Sequence, residues 1–521
     1  MGATGDGRGV RLAELVAALS LGIDLGFGQP MEHVVRQTWI ALRLAERLGL
    51  DAEQRSVVYY SSLLTNVGCH TDAHEQAKWF GDDIGLKGDK YLYGLRGPRS
   101  AAAGLRRLGA GHPVLHRFRI GLNFALAGHR DLNGMVARHS AMAQSLAAEL
   151  GLPLAVQEAV AAAYEQWDGK GWPGKVKAEA IPIAARVSHF AEYTEVAHRS
   201  GGVDAAVDLA RKLAGSQFDP NIASRFVADA ADIVGDLHGA SAWDGVIAAE
   251  PTLTRPLSAD ELDEALGAVA DFVDLKSPYL LGHSRAVAQL VQGAASILGL
   301  DGEAARLPYL AALAHGLGRL GVSNAIWDKC GLLGAGEWER VRLQPYLTER
   351  MLQQSPALKP IGALAGQLRE RVDGSGYPKG LDGRALAMAA RVLAAADVYQ
   401  AMLEPRPHRA ARSPDDAAAE LRAEARSGRL DGDAAEAVLV AAGHRTSARR
   451  ERPAGLTARE VEILRLVARG VSSKDIAAEL VISPKTARNH IEHIYAKTGV
   501  TNRVAASAFA SKHGLLGASP A

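Results

Sequence analysis

The chain has 521 residues, 48% of them hydrophobic and 22% charged, and a formal net charge of +1, so its length predicts about three globular domains. The near-zero charge argues against a nonspecific polyanion binder, and two cysteines, Cys69 and Cys330, cannot build a disulfide framework and suit a reducing cytoplasm. No window holds the roughly 18 uninterrupted apolar residues of a membrane span, and the opening Met1-Gly2-Ala3-Thr4-Gly5-Asp6 has no basic region followed by an apolar run, so a cytoplasmic protein without a membrane partner is expected.

Most of the chain is a repeat. A shift of 250 carries His33 onto His283, Leu48-Gly49-Leu50-Asp51 onto Leu298-Gly299-Leu300-Asp301, Leu63 onto Leu313 and Gly68 onto Gly318. Later the shift is 205, and it carries Asp168-Gly169-Lys170-Gly171-Trp172-Pro173 onto Asp373-Gly374-Ser375-Gly376-Tyr377-Pro378 and Ala184-Ala185-Arg186-Val187 onto Ala389-Ala390-Arg391-Val392. The first copy therefore holds 45 extra residues, between about Gln76 and Asn133. This many coincidences predict a duplicated helical domain.

In chain order, Val35, Thr38, Ile40, Leu42 and Ala45 form a loose helical stripe in the first copy. Cys69, His70, Asp72 and His74, with Asp82 and Asp83 soon after, gather thiol, imidazole and carboxylate; Cys69 and His74 are candidate zinc ligands, although packing and turn bonding explain the same residues. The Asp-Gly-x-Gly-aromatic-Pro loops break the helices of both copies. A polar stretch around Ala240 to Ser258, with Pro251 and Pro256, reads as the joint between a first domain over 10–238 and a second over 259–445. In the second copy Val287, Leu290, Val291, Ala294, Ala295 and Leu298 make a cleaner stripe. Arg445 to Pro453 reads as a further linker.

Residues 455–517 form the last predicted domain. Thr457 and Glu460 make a capping box ahead of an apolar stripe (Val461, Ile463, Leu464, Leu466, Val467) that Gly470 stops. Ser472 or Ser473 caps a short helix carrying Ile476, Ala477 and Leu480; Val481-Ile482 turns the chain, and Ser483 caps a third helix with Pro484 at its first position. Short helices joined by a tight turn predict a helix-turn-helix. On the third helix Ala487, Ile491 and Ile494 are spaced to face the core, leaving Lys485, Thr486, Arg488, Asn489, Glu492 and His493 outward. Arginine bonds guanine bidentately and asparagine does so with adenine, whereas Lys485, Thr486 and Lys497 suit phosphate oxygens. Nine Lys and Arg stand against five Asp and Glu here, concentrating positive charge where double-stranded DNA would dock.

Leu456-Thr457-Ala458-Arg459-Glu460, Ile476-Ala477, Ser483-Pro484-Lys485-Thr486, His490, Ile494-Tyr495, Lys497, Gly499-Val500 and Asn502-Arg503 resemble the LuxR-type helix-turn-helix, a family of four-helix DNA-binding domains. Ala487 stands where that family usually has valine. The second copy resembles the HD-GYP phosphohydrolases, all-helical enzymes that hydrolyse cyclic di-GMP on a cluster of metal ions. Lys276-Ser277-Pro278, Gly282-His283-Ser284, Ala312-Leu313-Ala314-His315, Asp373-Gly374-Ser375-Gly376-Tyr377-Pro378 and Ala395-Ala396-Asp397-Val398-Tyr399 carry that likeness. The first copy looks like a more diverged relative. Together these resemblances imply an all-α chain, two tandem HD-GYP-like domains followed by a four-helix LuxR-type domain.

The HD-GYP likeness also implies a ligand set. His283, His315 and Asp397 stand at metal-ligand positions of the family, but the aspartate expected after His315 is Gly316, the next histidine is Gln344, and the paired histidines before Glu370 are Leu368 and Arg369. Arg369 would add a fixed positive charge where cations should bind. In the first copy Thr65 and Asn66 replace the His-Asp pair, Ala163 and Tyr164 the paired histidines, and Glu192 the later aspartate, while His33 and His139 remain. Hydrolysis of a phosphodiester there needs adjacent divalent ions. Neither set supplies them, so no metal cofactor and no catalytic residue is expected; His283, His315 and Asp397 either hold a single ion or bond within the core. The expected function is a homodimeric transcription regulator whose duplicated region senses a small-molecule effector or a partner. The alternative is a metal-dependent cyclic di-GMP phosphodiesterase located on DNA by its tail.

Overall fold

The computed structural model describes residues 9–93, 98–110, 113–124, 129–235, 237, 242–445, 454, 456, 458–480, 483–513 and 515. Thr457, Val481, Ile482 and residues 446–453 of the arginine-rich linker lie outside the described residues. Every regular element among the described residues is helical, with only isolated β-bridges besides. Within the same residues no helix is long and apolar enough to cross a membrane. Contacts divide the chain into two units, Met1–His444 and Arg445–Ala521.

In the first unit the repeat is kept at the level of single residues. Helix His33–Arg47 answers helix His283–Ile297, Ala52–Leu63 answers Gly302–Ala314, and the short 3-10 turns Val67–His70 and Leu317–Gly321 follow each. Both leading histidine helices start from a left-handed residue, Glu32 at φ 74° and Gly282 at φ 74°. The free backbone amides just inside those starts are taken up alike: Asp24 accepts from the amide of Val34 at 3.0 Å, and Asp274 from that of Ser284 at 2.7 Å. The 45 extra residues form short helices including Ala73–Phe80, Asp83–Gly88, Lys90–Tyr93, Pro98–Arg107 and Val114–Asn123.

One hydrophobic core spans both copies. Helix Leu12–Gly26 is buried almost throughout and packs on the second copy's turn Leu317–Gly321 and helix Ala335–Leu352, and helix Ala259–Asp274 packs on the first copy's helix His129–Glu149. A buried charge cluster joins them as well. Asp83 accepts from Ser323 Oγ at 2.6 Å and the amide of Asn324 at 2.9 Å, with Lys87 and Lys276 ammonium groups at 3.2 and 3.5 Å. Burial pushes the Lys276 ammonium down to about 8, against the pull of Asp83.

The stretch expected to be a polar joint differs from that expectation. Residues 242–248 form a helix whose Trp243, Val246 and Ile247 are buried against helix His33–Arg47. The reason is their spacing, three and four residues apart, which puts three large apolar groups on one face despite the flanking prolines.

The second unit is built around helices Ala458–Ala468, Ser473–Glu479, Pro484–Thr498 and Arg503–Lys512. Its core holds Ile463, Leu464, Val467, Ile476, Ala487, Ile494, Ala506 and Ala510. Ser472, not Ser473, caps the second of these helices, and Ser483 caps the third by accepting from the Thr486 amide at 3.0 Å. Gly470 sits at φ 86° just past the first helix, a conformation that favours glycine.

Candidate functional site

In the second copy three elements bring the residual ligands together. The left-handed start at Gly282 turns His283 inward at the head of its helix, His315 ends helix Gly302–Ala314, and Asp397 lies on helix Met388–Leu403. All three side chains are buried, and their ligand atoms lie within 4.8 Å of one another, the one such group among the described residues. His283 Nε2 is 3.2 Å and His315 Nε2 3.7 Å from Asp397 Oδ1.

Every donor atom of this group already has a partner. His315 Nδ1 donates to the Ala312 carbonyl at 2.5 Å, which leaves Nε2 as the acceptor, and Nε2 receives the Arg319 guanidinium at 3.2 Å. His283 Nδ1 is 2.9 Å from Glu404, itself 2.8 Å from Arg406. Arg369 Nη1 reaches Asp397 Oδ2 at 2.7 Å, and Arg319 Nη1 is 3.5 Å from Asp274. Burial alone would raise the pKa of Asp397, but Arg369 and the two imidazoles outweigh it and hold the carboxyl well below the usual range. Burial and then Arg319 push the His315 imidazole well below its ordinary value.

The residues replacing the family's ligands also have structural work. A Cβ at Gly316 would sit 3.5 Å from Arg319 Nη1, so the guanidinium fills space beside the position of the missing carboxylate. Gln344 donates to the His315 carbonyl at 2.7 Å. Two guanidinium groups therefore stand among the three convergent ligands, and among the described residues no carboxylate takes the place of the missing bridging aspartate. This donor set does not fit a paired-metal centre.

The first copy reaches a comparable result with different atoms. Lys90, from the extra segment, places its ammonium 2.6 Å from Glu192 and 2.7 Å from Asn66 Oδ1. Tyr91 Oη is 2.8 Å from Glu192, and Tyr164 Oη donates to Asn66 Oδ1 at 3.0 Å. His33 pairs with Glu195, which Arg36 also reaches at 2.9 Å. Burial would raise the pKa of Glu192, but Lys90 and His189 hold it at about 2.

Cys69 and His74, the candidate zinc ligands, are not brought together. His74 Nδ1 pairs with Asp328 at 2.8 Å, and Cys69 Sγ lies 2.8 Å from Tyr164 Oη and 3.4 Å from His139 Nδ1. Sequence reasoning missed Lys90, Arg319 and Glu404. Of these only Arg319 carries a local signal, since it follows His315 by one helical turn.

In the second unit Lys485, Thr486, Arg488, Asn489, Glu492 and His493 are all exposed on helix Pro484–Thr498, while Ala487 and Ile494 are buried. Lys497 is engaged differently from the phosphate role expected of it: its ammonium is 2.8 Å from the buried Glu460 carboxylate.

Comparison with known proteins matches the HD domain model to residues 130–222 and 267–434, and the model of bacterial regulatory proteins of the luxR family to residues 454–510. A 3'3'-cGAMP-specific phosphodiesterase 3 of Vibrio cholerae is 29% identical over 413 residues, 78% of this chain and 90% of the relative. A putative HTH-type transcriptional regulator of Mycobacterium bovis is 44% identical over 69 residues, 12% of this chain and 8% of that protein. A crystal structure of a cyclic GMP-AMP specific phosphodiesterase of V. cholerae superposes with a TM-score of 0.58 at 24% identity, covering 84% of this chain and 99% of the other, a likeness of fold. With half of its length matched in two blocks and its last helices matched by the second model, the chain belongs to the HD domain family and carries a C-terminal module of the bacterial luxR-family regulators.

Proposed function

We propose that this chain is a transcription regulator that binds DNA through its luxR-type module, and that its duplicated HD region works without hydrolysing a phosphodiester, as the sensor of a ligand or partner. The observation that carries the reading is the pair of arginines, Arg319 and Arg369, bonded to His315 and Asp397 where cations would be needed. Lys90 in the first copy supports it in the same way. The exposed Lys485, Thr486, Arg488, Asn489 and His493 supply a face for base edges and phosphates. Sensing requires that the effector favour one arrangement of the protein over another, which sets DNA affinity by linkage. Two-fold pairing on half-sites about 10 base pairs apart is the expected mode.

A second reading is favoured by the convergence of His283, His315 and Asp397 and by the phosphodiesterase relatives. In it the chain is a metal-dependent cyclic dinucleotide phosphodiesterase located on DNA. Incubating the full-length protein with cyclic di-GMP or cyclic GMP-AMP and manganese or iron separates the two. The regulator predicts no linear dinucleotide above the protein-free control; multiple turnovers abolished by His315→Ala would establish the second reading.

A further inference from the structure

Cys69 closes a constellation that neither the DNA-binding helix nor the second copy's cluster uses. It lies in the 3-10 turn Val67–His70 and is 8% exposed. Its Sγ is 3.4 Å from Nδ1 of His139, on helix His129–Glu149, and the other ring nitrogen of His139, Nε2, is 2.5 Å from Asp72 Oδ2. Thiol, imidazole and carboxylate thus stand in series, the order in which a carboxylate orients an imidazole and the imidazole takes a proton from a nucleophile. Tyr164 Oη, at 2.8 Å, is a further polar partner for the sulfur. Burial disfavours charge on both groups. Even so, the imidazole stands directly between the sulfur and the carboxylate, where a proton given up by the thiol can be held. Cys330, the second cysteine, is exposed and serves as an internal reference.

We propose that Cys69 is a peroxide-reactive thiolate whose proton is held on His139, itself oriented by Asp72. The sulfur attacks one oxygen of a hydroperoxide; an S–O bond forms as the O–O bond breaks. With hydrogen peroxide, the departing hydroxide takes the His139 proton and leaves as water, giving the sulfenic acid and a neutral imidazole. The new oxygen forms beside Tyr164, which links Cys69 to Asn66 and so to the Glu192–Lys90 pair, and this carries the modification into the core of the first copy. Near-complete burial restricts the reaction to small oxidants.

The test exposes the full-length protein to limiting hydrogen peroxide, removes the peroxide, unfolds the protein in the presence of a dimedone trap so that burial does not limit trapping, and reads both cysteines by peptide mass spectrometry. Cys69 is expected to be trapped at least about tenfold faster than exposed Cys330, and to react more slowly than Cys330 with a bulky maleimide. His139→Gln is expected to bring the Cys69 peroxide rate down to that of Cys330, with the fold checked by circular dichroism. The wild-type comparison needs no variant: Cys69 trapped no faster than Cys330 would overturn the proposal, and so would an unchanged rate in a folded His139→Gln protein.

Discussion

Replacing Arg369 by alanine leaves the Asp397 carboxylate facing two imidazoles and Arg319 at 3.9 Å, with its closest cation gone. Removing one partner of a buried pair costs more than the pair contributes, because a desolvated charge is stranded. Arg369 is 22% exposed, so water screens part of the loss, and we expect Arg369→Ala to lower stability by about 2–3 kcal/mol in urea denaturation. No loss would mean that the contact is idle. In the first copy, Glu192 is held at about 2 against an unfolded value of about 4.3. A depressed carboxylate contributes stability that is complete above the unfolded pKa and disappears as pH falls through the folded one. The stability gap between the wild type and Lys90→Met should therefore be full at pH 6 and narrow below about pH 4. A gap independent of pH would deny the pairing. Gly316, Leu368 and Arg369 could be read directly as departures from a ligand pattern. Lys90 could not, because it meets Glu192 across 102 residues of sequence and only the folded extra segment brings them together.

At the scale of elements the duplication was legible to the residue, since the shift of 250 relates the first and last residues of His33–Arg47 and His283–Ile297. The two copies differ at one telling place. Glu32 holds the left-handed conformation that Gly282 holds at no steric cost. Glu32→Gly should raise the thermal midpoint, adding about 0.5–1 kcal/mol once the greater chain entropy of glycine is set against the relieved strain. A lower midpoint would show that the weak Glu32–Arg36 contact at 3.7 Å outweighs that relief. On the recognition helix, Arg488→Ala should cost about 1–3 kcal/mol of specific binding and relax base preference in fluorescence anisotropy. Equal affinity for the native operator would remove Arg488 from the reading face. The role expected of Lys497 is harder to keep, because a side chain paired with Glu460 braces helix against helix; the phosphate contact is read from the chemistry of the side chain, and only the packed module reveals the carboxylate opposite.

For the whole molecule, sequence reasoning divided the front of the chain at a polar, proline-bearing stretch, whereas helix Leu12–Gly26 and helix Ala259–Asp274 each pack on the other copy and join the two in one core. Such long-range exchange leaves no local mark, because each helix is amphipathic whichever copy it covers. Lys90, Arg319 and Arg369 neutralise buried carboxylates inside a body whose two halves support each other, so the fold has no need of an ion at either place. Metal stoichiometry of the full-length protein purified without chelator, read by inductively coupled plasma mass spectrometry alongside thermal melts with and without EDTA, tests this most directly. The account predicts well under one equivalent of any transition metal and an unchanged melting temperature; two tightly held cations per chain, whose removal lowers the melting temperature, would contradict it.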